Sequence, residues 1–137
     1  GGGAVLAGRR ALLAGMHDVR RMFGGALWNA WPYAAVASHF AEGYLERLRR
    51  AVAVADELIG RLGSDPAFEA RKVPNGTSVF FLRPRQADPE RVRQRLAGER
   101  ITLPPPRDGA FWPRVNETLA SASAGTLAEA FRRAAAP

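Results

Sequence analysis

The 137-residue chain is 47% hydrophobic and carries seven Phe, three Trp and two Tyr, enough apolar surface for a packed core and too much for a disordered segment. Its formal charge of +7 comes from 20 basic residues, all arginine except Lys72, against 13 acidic ones; the arginines are dispersed in pairs and triplets from Arg9/Arg10 to Arg132/Arg133, so no dense tract announces a nucleic-acid footprint. The absence of cysteine excludes disulfides and thiolate chemistry. No apolar run reaches the roughly 20 residues that span a bilayer, and Gly1 to Leu13 lacks the shape of a secretory signal, so a cytoplasmic protein without membrane contact is the expectation.

In chain order, Gly3-Ala4-Val5-Leu6-Ala7-Gly8 is a short apolar run bracketed by glycines, the pattern of a buried strand ending at a turn. Arg10 to Phe23 reads as a helix with Leu12, Leu13, Met16, Val19 and Met22 or Phe23 on one side, stopped by Gly24-Gly25. From Pro32, the residues Val36, Phe40, Tyr44, Leu48, Val52, Ala55, Ile59 and Leu62 recur at helical spacing, which predicts one long helix, bent near Gly43 and closed by Gly63-Ser64-Asp65-Pro66. Phe68 to Val73 and Thr77 to Leu82 then read as strands joined through Pro74-Asn75-Gly76. Asp88-Pro89-Glu90 opens a helix running to Gly98, with aspartate as N-cap and proline in its first turn. A short strand at Ile101 to Leu103 follows, then an edge strand over Ala110 to Thr118 interrupted by Pro113. A last helix starts from the capping box Thr126-Leu127-Ala128-Glu129, with Leu127 and Phe131 on one face.

The segment from 64 onward therefore predicts a small α+β layer, helices on one face of a sheet of roughly four strands. Residues 1–30 do not belong to that layer. A lone strand and helix cannot bury themselves, so the expectation is a fragment whose larger sheet lies elsewhere.

Several short motifs, taken in order, resemble the fold-type I pyridoxal-phosphate enzymes, in particular the threonine aldolase and β-eliminating lyase family. Gly2-Gly3-Ala4-Val5-Leu6-Ala7-Gly8 is similar to the glycine-rich segment that follows the family's Schiff-base lysine. Arg20-Arg21-Met22-Phe23-Gly24-Gly25 and Trp31-Pro32-Tyr33 resemble the passage into the helix that links its large and small domains. Thr77-Ser78-Val79 stands at the place of a Thr-Asn-x-Val, with serine for asparagine, and Arg114 in Trp112-Pro113-Arg114-Val115-Asn116 matches an arginine that reaches the substrate carboxylate, with proline before it as a departure.

The resemblance implies an α/β fold made of the end of a PLP-transferase-like large domain (1–32), a connecting long helix (33–63) and a small α+β C-terminal domain (64–137). It also implies a lyase that cleaves a β-hydroxy amino acid to glycine and an aldehyde, bound to pyridoxal 5'-phosphate and assembled as a homo-oligomer. The cofactor's lysine is expected upstream of Gly1, which leaves the isolated chain inactive. Within the chain, Arg114 is the expected substrate-binding residue, through a bidentate pair with the α-carboxylate, and Gly24 and Gly25 are the expected cofactor-binding positions, where backbone can approach a phosphate.

Each of these residues also has an ordinary reading. Arg114 fits a solvated edge-strand arginine, and the glycine pair fits a helix stop. Trp28, Trp31 and Tyr33 suit core packing or an interface. His17 and His39 receive no role. Lys72 precedes Val-Pro between two strands and is not a Schiff-base lysine, while Asn75-Gly76-Thr77 is a turn before it is a glycosylation signal. Two other classes stay open: another fold-type I enzyme, such as an aminotransferase or serine hydroxymethyltransferase relative, and a basic α+β module for nucleic acid, the less expected partner.

Overall fold

The computed structural model describes residues 6–25, 29, 31–76 and 78–137. The chain packs as two units, Gly1–Tyr44 and Leu45–Pro137. The helix expected as a free connector is thus divided between them, and its second half is part of the C-terminal unit.

The strand expected at Gly3–Gly8 lies largely outside the described residues, and Leu6 to Gly8 carry no regular structure. The helix expected over Arg10 to Phe23 is two short ones, α1 (Arg10–Leu13) and α2 (Met16–Met22), because Gly15 turns the backbone left-handed at φ +76° between them. Next comes α3 (Trp31–Ala41), which contains no charged residue apart from the titratable His39. Gly43, at φ +65°, separates it from α4 (Tyr44–Gly63), so the single bent helix read from periodicity is two helices. None of α1, α2 or α3 contains a buried residue.

The C-terminal unit has a different character. Along α4, Ala51, Ala55, Leu58, Ile59 and Leu62 are buried, so the expected Ala55, Ile59 and Leu62 face the core, while Val52 is exposed and Ala51 and Leu58 are buried in addition. The opposite face carries the ion pairs Glu46–Arg50 and Glu57–Arg61, one helical turn apart. At Gly63 a Cβ would stand 2.9 Å from the Ala70 carbonyl oxygen, and the bare glycine lets strand β1 (Phe68–Lys72) pass close to the helix end.

Strand β1 pairs antiparallel with β2 (Phe80–Pro84) in the register Phe68↔Pro84 to Lys72↔Phe80. Their connection holds the expected turn, with Gly76 N–H donating to the Val73 carbonyl at 2.9 Å and Asn75 at φ +54°. Proline second and a left-handed asparagine third is the pattern of a type II turn.

The expected strand over 110–118 is a hydrogen-bonded edge of β2, although only isolated bridges form, at Val79↔Arg114 and Leu82↔Phe111. Leu82 and Phe111 exchange both backbone bonds, and Val115 N–H donates to Ser78. Between them Phe80 N–H donates to Pro113, but proline has no N–H to return, and the ladder is interrupted there. The segment is brought to β2 by a two-residue hairpin at Asp108-Gly109, φ +52° and +75°, closed by reciprocal bonds between Arg107 and Ala110. Ile101 to Leu103, expected as a strand, has no regular structure; Leu103 is nonetheless buried.

Helix α5 (Pro89–Gly98) begins as read, Asp88 accepting a hydrogen bond from Arg91 N–H at 2.9 Å. The last helix, α6 (Ala124–Ala135), starts earlier than its expected capping box, with Ser123 as N-cap to Thr126 N–H. Leu58 and Leu62 of α4, Val92 and Leu96 of α5, and Leu127 and Phe131 of α6 share one core with Phe68, Phe80, Leu82 and Phe111 from the inner sheet face. Each such side chain removed from water contributes about 1.5–3 kcal/mol before entropy is set against it. The result is a two-layer α+β unit, coarsely the expected one, with fewer strands.

Candidate functional site

Alternation along residues 111–115 decides which side chains face the core. Phe111 and Pro113 are buried; Trp112 and Arg114 are exposed between them. Trp112 packs edge-on against Phe81 at 5.3 Å between ring centroids, which holds this strand end in place.

Beside that edge opens a cleft of about 440 Å³, within the usual size of small-molecule sites. Leu58, Phe80, Leu127 and Phe131 give it an apolar lining, and Arg100, Trp112 and Arg114 also line it. No aspartate or glutamate does. Glu117, the acid nearest Arg114 in the chain, is held by Arg47 at 2.5 Å. The polar groups Asn116, Thr118 and Ser121 are occupied with one another: Thr118 Oγ1 donates to Asn116 Oδ1, and Ser121 Oγ to the Thr118 carbonyl. Among the described residues neither Arg100 nor Arg114 has an ion-pair partner, so two guanidinium groups are the charges of a cleft whose other polar lining is Thr102, Asn116, Thr118 and Ser121.

Arg100 was not among the expected site residues, and its position is unusual. It follows α5 at φ +65°. Its N–H donates to the Ala97 carbonyl and that of Ile101 to Leu96, the Schellman arrangement in which glycine is favoured at the left-handed position. A side chain there costs about 1–2 kcal/mol. Its sequence signal is slight, because the helix stop is announced two residues earlier by Gly98.

Gly24 and Gly25 complete the same motif at the end of α2. Gly24, at φ +74°, donates to Arg21, and Gly25 donates to Arg20 at 2.8 Å; a Cβ on Gly25 would lie 2.8 Å from the Arg20 carbonyl oxygen. Both N–H groups are therefore committed to the cap and are not free for a phosphate. The helix-stop reading accounts for both glycines. Lys72 is paired with Asp56 at 2.8 Å. The described residues thus supply neither a free amine for an imine nor phosphate donors at the expected positions, and they do not by themselves fit pyridoxal phosphate.

Comparison with family models, with curated proteins and with solved structures returns no match. The site is therefore read from its own geometry.

A second cleft, also about 440 Å³, lies between α4 and the hairpin loop. Asp56 and Lys72 are its only charged lining residues and neutralise each other, which leaves an apolar groove. On the outer sheet face Arg71 and Arg83 lie 4.5 and 5.1 Å from the centre of the Phe81 ring, cation–π contacts that cover it. Trp112 is the exposed ring on that face.

Three carboxylates sit below their ordinary pKa: Asp65 through the hydrogen bond from Arg132, then that from Ala67 N–H; Glu90 through Arg93; Glu99 through Arg133. None lines either cleft. The described residues contain no group of His, Asp or Glu able to hold a metal, and none of their helices is long and apolar enough to cross a membrane. The first cleft presents two arginines and no acid.

Proposed function

We propose that Leu45–Pro137 is a carboxylate-recognising module serving as the small domain of a pyridoxal-phosphate-dependent lyase of the threonine aldolase type. The observation that carries the reading is Arg114, a guanidinium without an acidic partner at an apolar cleft that no carboxylate lines. A planar fork of donors against a low-dielectric wall favours a bidentate bond to a carboxylate over a hydrated one. That bond would orient the substrate's α-carbon, and orientation decides which of its bonds can break.

Lys72 and the Gly24-Gly25 pair are engaged otherwise, so the described residues would not themselves hold the cofactor. The chain's own contribution in this reading is to hold and orient the substrate's carboxylate at Arg114. Motif order in the sequence supports the lyase class, and the cleft supports the carboxylate.

A nucleic-acid module draws less support. On the outer sheet face Phe81 is already covered by Arg71 and Arg83, and the one ring left exposed there, Trp112, is by itself a poor stacking platform.

Titration of the 137-residue chain with acetate, followed through the Arg114 Nε–H and Trp112 indole N–H resonances, tests the reading. Saturable shifts that vanish in Arg114→Gln are expected. Shifts that survive the substitution would remove Arg114 from the site and the reading with it.

A further inference from the structure

We infer that the cleft takes a ligand with two acidic groups, Arg114 holding one and Arg100 the other, so that the substrate class is an amino acid with an acidic side chain. The inference rests on the carboxylate reading of Arg114 and adds to it.

Three observations carry it. Arg100 and Arg114 line the same cleft, where no Asp or Glu offsets them. An anion with one charge engages one guanidinium and leaves the other to solvent, whereas a dianion engages both with charge-assisted hydrogen bonds. The hydroxyl and amide donors on Thr118, Ser121 and Asn116 are turned to local acceptors, which leaves the two arginines and the Thr102 hydroxyl to read the ligand, the arginines supplying its charge complement.

The second observation is backbone strain. This chain caps two helices with the same hydrogen-bonding motif. At the end of α2 the left-handed position is Gly24, the residue the geometry favours; at the end of α5 it is Arg100. Glycine would serve the fold better at 100, and a residue kept in an unfavourable backbone region points to a task beyond folding. The left-handed turn sets Arg100 at the cleft.

The third is selectivity among neighbouring charges. Arg133 is paired with Glu99, Arg132 with Asp65 and Arg93 with Glu90. Arg95, the helix arginine closest in the chain to Arg100, donates to the Ala134 and Ala136 carbonyl oxygens, and Arg91 lies outside the cleft, so Arg100 and Arg114 are the arginines without an ion-pair partner that line it.

Arg100→Gly separates function from folding, because it relieves strain. Its melting temperature should rise by about 4 °C over the parent chain. Binding of acetate and of malonate, succinate and glutarate to the intact 137-residue chain is measured by the same two resonances, with Arg91→Gln, outside the cleft, as a control for bulk charge.

In the parent chain the best dicarboxylate should bind at least about tenfold more tightly than acetate, a difference of about 1.4 kcal/mol. In Arg100→Gly that preference should disappear while acetate affinity is kept. Arg91→Gln should change neither. A dicarboxylate preference that persists in Arg100→Gly, or that falls equally in Arg91→Gln, overturns the inference. So does a parent chain that binds acetate through Arg114 but shows no preference, an outcome that leaves the carboxylate reading standing. Acetate binding indifferent to Arg114→Gln removes that reading instead.

Discussion

The two units of this chain differ in what their apolar residues do. In Gly1–Tyr44 the described helices expose Phe23 (85%), Trp31 (73%), Met22 (81%) and Phe40, and none of their residues is buried. In Leu45–Pro137 the same kinds of residue make a core in which Phe111, Leu82, Val92 and Leu96 have no exposure at all. The lesson concerns amphipathicity. Helices α4, α5 and α6 are apolar on one face and charged on the other, so a single sheet covers them. Helix α3 is apolar on nearly every side, and no single partner surface can bury such a helix.

Substitutions should expose that contrast most sharply in the core. Phe111→Ala should lower the stability of the C-terminal unit by about 3–5 kcal/mol, whereas Phe40→Ala in α3 should change it by no more than about 0.5 kcal/mol. Urea unfolding followed by far-ultraviolet circular dichroism gives both values. A comparable loss from Phe40→Ala would mean that α3 contributes to the same cooperative core, and the contrast would be broken.

Helix capping comes next. Ser123→Ala and Asp88→Ala remove the hydrogen bonds to Thr126 N–H and Arg91 N–H, and each should cost about 1 kcal/mol in the same experiment. Gly24→Ala should cost a similar amount, because alanine enters φ +74° poorly, but in helicity of α2 alone. Its readout is the Cα chemical shifts of residues 16–22, with the C-terminal core resonances unmoved.

The smallest effect expected is electrostatic. Asp65 accepts from Arg132 Nε at 2.7 Å and from Ala67 N–H at 3.0 Å, tying the turn after α4 to α6. Its pKa is lowered in the folded chain. Its contribution is therefore complete above the ordinary carboxylate value and is lost as pH falls through the lowered one. Arg132 is about half exposed, so solvent screening limits Arg132→Ala to a loss of about 0.5–1 kcal/mol at neutral pH. The gap between variant and parent should narrow on acidification, as Asp65 takes up a proton in both. A gap that widens toward low pH would contradict this assignment.

Where a local rule acts alone, the sequence was sufficient. Asp88-Pro89 fixes the start of α5 because a side-chain acceptor and a fixed φ need no distant partner. Pro74-Asn75-Gly76 fixes its turn for the same reason, and Pro113 marks an edge because it lacks a donor. The Asp108-Gly109 hairpin was equally legible, and it would have shown how the edge strand reaches β2. Motif order singles out Arg114, and the structure places it exposed at a cleft, a geometry that motif order lacks.

Other features depended on packing across the chain. Periodicity continued through Gly15 and Gly43, but a left-handed φ at each glycine breaks the helices. Spacing placed Val52 on the buried face, whereas the sheet selects Ala51 and Leu58 instead. Arg100 carries no motif, and it shares a cleft with Arg114 only because the end of α5 and the edge of β2 open on the same space. By itself the amino-acid order determined caps, turns and amphipathic faces, all decided within a few residues of backbone. Which charges share an apolar cavity was settled by the tertiary structure alone, since burial and the neighbours of a charge are properties of the assembled layers.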